Sequence, residues 1–120
     1  RIAAPLMAEA VRQVLKTRDI ASTDYFLVPH QPSAPILAAV ERMLGLPPEQ
    51  IGISSRHRGN MATASVPVAF VDHYDRVENY PYNVWASVGA GVSLGALLWR
   101  RVGSAKAVSD GRCFDQEVQR

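Results

Sequence analysis

The sequence predicts an α/β domain, and three observations carry that expectation. A fully apolar run, Tyr25-Phe26-Leu27-Val28, lies between two segments whose apolar residues recur at helical spacing. Further on, residues 84–88 and 92–99 flank a glycine-rich turn and read as an antiparallel strand pair. The chain has 120 residues, 48% hydrophobic and 20% charged, which fits one globular domain and leaves little room for a second.

The elements follow in order. Leu6, Met7, Ala10, Val11, Val14 and Leu15 form one stripe, with Glu9, Arg12, Gln13 and Lys16 opposite, predicting a surface helix over 5–17. Pro5 suits its first turn, where a missing N–H costs nothing. After a polar connection over 19–24, the apolar run 25–28 reads as a strand covered on both faces, ended by Pro29. A second helix is expected over 33–44, capped by Ser33 and stopped by Gly45 and Pro47-Pro48. Ile51-Gly52-Ile53 reads as a further short strand, followed by a basic loop over 54–60. A third helix over 61–77 is almost uncharged until Asp72, and a helix apolar all round is normally buried all round. A domain this small has difficulty covering such a helix, so another layer is expected from missing chain or a second subunit.

Composition excludes several classes. Thirteen basic against eleven acidic residues give +2, too weak a bias to argue for nucleic acid. Residues 79–99 carry no formal charge, yet Pro81, two asparagines and three glycines punctuate them as strand–turn–strand, against a membrane span. A single cysteine, Cys113, rules out an internal disulfide and points to a reducing, cytoplasmic setting. The first residues lead straight into a helix pattern, without a signal-peptide pattern or an initiator Met, which gives the expectation of a piece cut from something longer.

Few residues carry chemistry by themselves. His30 lies just past a strand's carboxyl end, where α/β proteins place function, though a hydrogen-bonded structural histidine is the plainer reading. Asn60, after Gly59 and opening an apolar helix, is by default an N-cap. His57 and His73 read as a loop and a surface histidine, and no carboxylate or thiol at ligand spacing accompanies His30 and His57, so no metal is expected. Gly89-Ala90-Gly91 with Gly95 is a faint dinucleotide-loop pattern that lacks the following helix, leaving a tight turn as the better reading. No Gly-x-Ser-x-Gly elbow is present, and no cysteine precedes the histidines.

With those residues placed, their order matches a family. The segment 24–31, the helix 34–44, Gly45-Leu46-Pro47 and the run from Arg56 through Gly59-Asn60-Met61 to Val66-Pro67 resemble the C-terminal half of 3-oxoacyl-ACP synthase III, a condensing enzyme of the thiolase fold. Residues 87–96 look like that family's closing strand pair, and the resemblance covers 5–101. It implies a mixed sheet with helices on both faces, layered αβαβα when complete, with a condensing-enzyme domain over 1–101 and an extension of unknown role over 102–120.

The resemblance also implies a reaction: acyl transfer followed by decarboxylative condensation of an acyl thioester with a malonyl thioester, in fatty acid or polyketide-type synthesis. The nucleophilic cysteine would come from an N-terminal half, so this chain alone is expected to be inactive. His30 and Asn60 match the pair that binds the malonyl thioester carbonyl and stabilises the enolate. A neutral imidazole N–H and an amide N–H can both donate to one developing oxyanion. Backbone N–H groups at Gly89, Ala90 or Gly91 match the oxyanion hole, and Gln31 joins the substrate-binding group as a residue shaping the His30 loop. No cofactor is implied; the substrates are CoA or acyl-carrier-protein thioesters, and a homo-oligomer is expected.

Departures qualify this. The family's His-Gln-Ala-Asn is His30-Gln31-Pro32-Ser33 here, and Ala34-Pro35 stands where a basic carrier-docking residue is frequent, which leaves a CoA thioester open. The loop before Gly59 has one extra residue, the segment from Pro67 to the glycine turn is about two short, and Ala90 replaces a usual glycine. Cys113 lies beyond the family's usual end and is not the nucleophile. Two alternatives stand beside the leading reading: a non-catalytic, partner-binding half of a split synthase, and a small nucleotide-binding module.

Overall fold

The computed structural model describes residues 2–102. Its elements are α1 (Ala3–Lys16), β1 (Tyr25–Pro29), α2 (Ala34–Leu44), α3 (Ser55–Arg58), α4 (Ser65–Asp72), α5 (Tyr74–Val77), β2 (Tyr82–Gly89) and β3 (Ser93–Arg100). The strands form one sheet in the order β1-β2-β3, with β1 parallel to β2 and β2 antiparallel to β3. The expected strand pair is therefore present, joined by a 3₁₀ turn over Ala90–Val92.

Helices cover both faces of this sheet. Met7 and Val11 of α1 and Val40 of α2 pack with Tyr25, Leu27, Val84 and Ala86 on one side. Ala69 of α4 and Val77 of α5 pack with Phe26 and Val28 on the other. Every residue of β1 is buried, because its alternate side chains enter two different cores.

Four local expectations are corrected. The helix over 61–77 is broken into a 3₁₀ turn over Ala62–Ala64, then α4, a break at His73 and α5. Pro67 explains the late start: in a helix running from 61 it would lack the N–H owed to residue 63, whereas in α4 it falls in the first turn. The strand at 51–53 is reduced to one parallel bridge between Leu27 and Ile51. Gly52 donates to the Leu27 carbonyl at 2.8 Å, but its own carbonyl is taken by the Gln31 side chain at 2.9 Å, so the ladder stops. Ser33 occupies the cap position of α2 without a side-chain cap bond. Pro35, the second residue of α2, offers no N–H to it.

His73 is half-buried rather than a surface residue. Its ring packs so closely on Gly52 that a Cβ there would lie 2.8 Å from His73 Cδ2. Arg76 Nη2 donates to His73 Nδ1 at 2.7 Å, which leaves Nε2 as the protonated nitrogen, 3.4 Å from Ser54 Oγ.

The expectation of an incompletely covered third helix holds in a shorter form. Ser65 and Ala69 of α4 are buried, while Val71 stays 70% exposed, and Tyr74, Leu97 and Trp99 are exposed as well. No helix among the described residues is long and apolar enough to cross a membrane. The expected extension, save Val102, and Cys113 lie outside the described residues.

Candidate active site

His30 and Asn60 line one cavity of about 820 Å³, together with Thr63, Trp85, Ser87, Gly89 and Ala90. His30 is placed there by the parallel pairing of β1 with β2: its backbone N–H donates to the Ala86 carbonyl at 2.6 Å, one step past Pro29. Its ring makes no hydrogen bond among the described residues, so it is not the satisfied structural histidine of the plainer reading. Burial pushes the His30 imidazole below its ordinary 6.5. At neutral pH it is an uncharged ring with one N–H to give.

Asn60 arrives by a different route. The short helix α3 ends at Gly59, whose φ of +67° suits glycine and turns the chain toward the cavity. Asn60 Oδ1 accepts the Ala62 N–H at 2.9 Å and lies 3.5 Å from the Ser65 hydroxyl. The Ser65 hydroxyl in turn accepts the Met61 N–H at 3.0 Å. Asn60 is therefore not the helix cap expected: its oxygen closes a local turn onto Ala62, while α4 begins only at Ser65 with Ala64 at its cap position, and the turn consumes the oxygen alone. The amide N–H₂, a double donor, makes no hydrogen bond among the described residues.

Two left-handed non-glycine residues flank this site, Ala62 (φ +50°) beside Asn60 and Val92 (φ +60°) in the β2–β3 turn. Such conformations cost of order 1–3 kcal/mol each and persist where the surroundings impose them. Gly89 and Ala90 line the cavity, whereas Gly91 does not; at φ +72° it supplies the bend of the turn. Because that turn leads into an antiparallel strand and not a helix, it lacks the geometry of a dinucleotide loop.

Gln31, expected with the substrate-binding residues as the one shaping the His30 loop, is not part of the cavity lining and holds backbone instead. It is fully buried, and its amide is spent on the backbone: Nε2 donates to Pro29 and Gly52 carbonyls at 2.8 and 2.9 Å, and Oε1 accepts from Ser54 and Ser55 at 2.9 and 3.0 Å. His57 sits exposed on α3. Among the described residues no group of three or more His, Cys, Asp or Glu is placed to hold a metal.

Sequence reasoning missed the Arg58–Asp72 pair, a two-pronged ion pair with both contacts at 2.7 Å. It joins α3 to the end of α4, and the Arg58 guanidinium holds the Asp72 carboxyl down to about 2. It also missed the side of the cavity contributed by β2. A smaller cavity of about 350 Å³ continues along the same face, walled by Phe70, Tyr74, Trp85 and Trp99. Trp85 Nε1 and Asn83 Oδ1 are buried without a partner among the described residues.

Comparison with known proteins decides the family. The family described as 3-Oxoacyl-[acyl-carrier-protein (ACP)] synthase III C terminal matches residues 12–101. The chain belongs to that family. Beta-ketoacyl-ACP synthase III of Symbiobacterium thermophilum is 35% identical to this synthase III C-terminal chain over 103 residues, 83% of the chain and 31% of the relative. The solved synthase III of Thermus thermophilus superposes with a TM-score of 0.79 at 28% identity, covering 86% of this chain and 33% of that one. The Pseudomonas aeruginosa enzyme gives a TM-score of 0.72 at 31% identity, covering 81% and 32%. The fold is therefore thiolase-like, and the chain spans about a third of the length of the relatives it matches.

Proposed function

We propose that this chain is the C-terminal half of a decarboxylating condensing enzyme, with the acyl-accepting cysteine supplied by an N-terminal part. The observation that carries the reading is the convergence of His30 and Asn60, thirty positions apart, on one cavity with their donor groups free of other bonds among the described residues. Both donate to the thioester carbonyl of a malonyl group. The carbon–carboxylate bond breaks, CO₂ leaves, and the electron pair collects on the thioester oxygen as an enolate. The enolate carbon then attacks the acyl-cysteine carbonyl, and the cysteine thiolate departs. Backbone N–H groups of the Gly89–Ala90 turn face the oxyanion formed in that second step.

Preorganised donors of this kind each contribute about 100- to 1000-fold in rate. A neutral histidine suits the task because it donates without changing charge. We infer that the exposed apolar residues Val71, Tyr74, Leu97 and Trp99 are covered by the N-terminal part, and that the chain alone does not turn over. A homo-oligomer in the cytoplasm using an acyl-carrier protein or CoA thioester completes the reading.

The test is turnover of the protein joined to its N-terminal part, with malonyl-ACP and an acyl donor. CO₂ and a 3-oxoacyl thioester are expected in equal amounts. Acyl loading without any CO₂ release from wild-type protein would contradict the proposal and favour a partner-binding role.

A further inference from the structure

The parallel ladder between β1 and the segment at 51–53 ends after one bridge, which leaves several backbone groups over. A single side chain takes four of them. The Gln31 amide binds the carbonyls of Pro29 and Gly52 and the N–H groups of Ser54 and Ser55, all between 2.8 and 3.0 Å, in a fully buried position. An amide is the side chain that can give two donors and two acceptor positions at once.

The four groups belong to two different loops. Pro29 and Gln31 flank His30, whose backbone is also fixed to Ala86. Ser54 and Ser55 open α3, which runs through Gly59 directly into Asn60 and is held at its far end by Arg58 on Asp72. The Gln31 amide therefore ties the two loops together beyond the point where the bond from the Gly52 N–H to the Leu27 carbonyl ends the backbone ladder. We propose that Gln31 is the positioning residue that fixes the spacing of the His30 and Asn60 donors. This rests on the functional reading above, in which both donors serve one oxygen, and it assigns Gln31 no contact with substrate.

Displacement of a catalytic group by about 1 Å can cost about 100-fold in rate. The experiment uses the protein joined to its N-terminal part, with radiolabelled acyl donor and malonyl-ACP. Acyl-cysteine formed per folded protein counts competent sites, and CO₂ release is expressed per loaded site. Gln31→Met keeps the volume and removes all four bonds. Gln31→Glu keeps acceptors for Ser54 and Ser55, and serves if the Met variant does not fold.

The expected result is a fall of about 10- to 100-fold in kcat for CO₂ release per loaded site, with KM for malonyl-ACP and acyl loading near wild type. A merely structural glutamine would lower loading and CO₂ release together. That parallel loss, wild-type rates in both variants, or failure of both variants to load would each overturn the proposal. Wild-type protein that loads acyl groups yet releases no CO₂ would instead overturn the functional reading and this inference with it.

Discussion

Replacing Ser65 with alanine separates the orientation of Asn60 from its chemistry. Ser65 is fully buried, and its hydroxyl accepts the Met61 N–H at 3.0 Å while standing 3.5 Å from Asn60 Oδ1. Alanine leaves the half-buried Met61 N–H without a partner, which typically costs about 1–2 kcal/mol of stability. The stronger hold on Asn60 is independent of Ser65: the Ala62 N–H donates to Oδ1 at 2.9 Å. Orientation should survive in part. We expect decarboxylation to fall about tenfold, about 1.4 kcal/mol of barrier, well short of the 100- to 1000-fold that loss of a donor brings. Urea unfolding and CO₂ release per loaded site, both on the protein joined to its N-terminal part, measure the two effects. A Ser65→Ala variant as impaired as Asn60→Ala would mean that the hydroxyl itself acts on substrate. An unchanged midpoint and an unchanged rate would mean that its bonds hold nothing.

Three further outcomes follow from the same structure. Burial lowers the titration of His30 and His73 below the ordinary 6.5, so the unfolded chain takes up protons first, and stability should decline as pH falls below about 6.5. Asp72 is lowered from 3.8 to about 2, so the stability of its pair with Arg58 is present above 3.8 and lost as pH falls to about 2. Denaturant midpoints across pH 2–8 check both, and a midpoint that rises between pH 6.5 and 5 would refute the histidine assignment. The isolated chain, with Val71, Leu97 and Trp99 more than half exposed, should associate or bind an apolar dye. A monodisperse monomer by light scattering that binds no dye would count against the layered reading.

The parts of the fold that were legible in the sequence are those set by local pattern. The run Tyr25–Val28 announces a strand buried on both faces, and the glycine turn at 89–91 announces the β2–β3 pair. Helix α1 is readable from its stripe. The helix expected from 61 is cut short by Pro67, which decides that α4 begins only at Ser65. The strand expected at 51–53 stops after one bridge, because a distant glutamine takes the Gly52 carbonyl and nothing local reveals it.

The same division runs through the site. His30 and Asn60 stand at a strand end and a glycine turn, positions with a local signature, and both reach the cavity. The residues that hold them are specified by contacts between distant positions. Arg58 and Asp72 are fourteen residues apart, and Gln31 and Ser54 twenty-three. Ser65 carries no such signature, since a serine in an apolar helix gives no hint of which backbone N–H its hydroxyl accepts.

The most direct test of the central claim is the ratio of two rates in the His30→Ala variant joined to its N-terminal part. Radiolabelled acyl loading reports the cysteine and the backbone N–H groups, whereas CO₂ release from malonyl-ACP reports enolate stabilisation. Loading near wild type with CO₂ release down about 100- to 1000-fold is predicted. The paired variant with Asn60→Ala should lose less than the product of the two single losses, because both donors serve one oxygen. Equal loss of loading and CO₂ release in His30→Ala would contradict the account, since His30 would then be holding the fold or activating the cysteine.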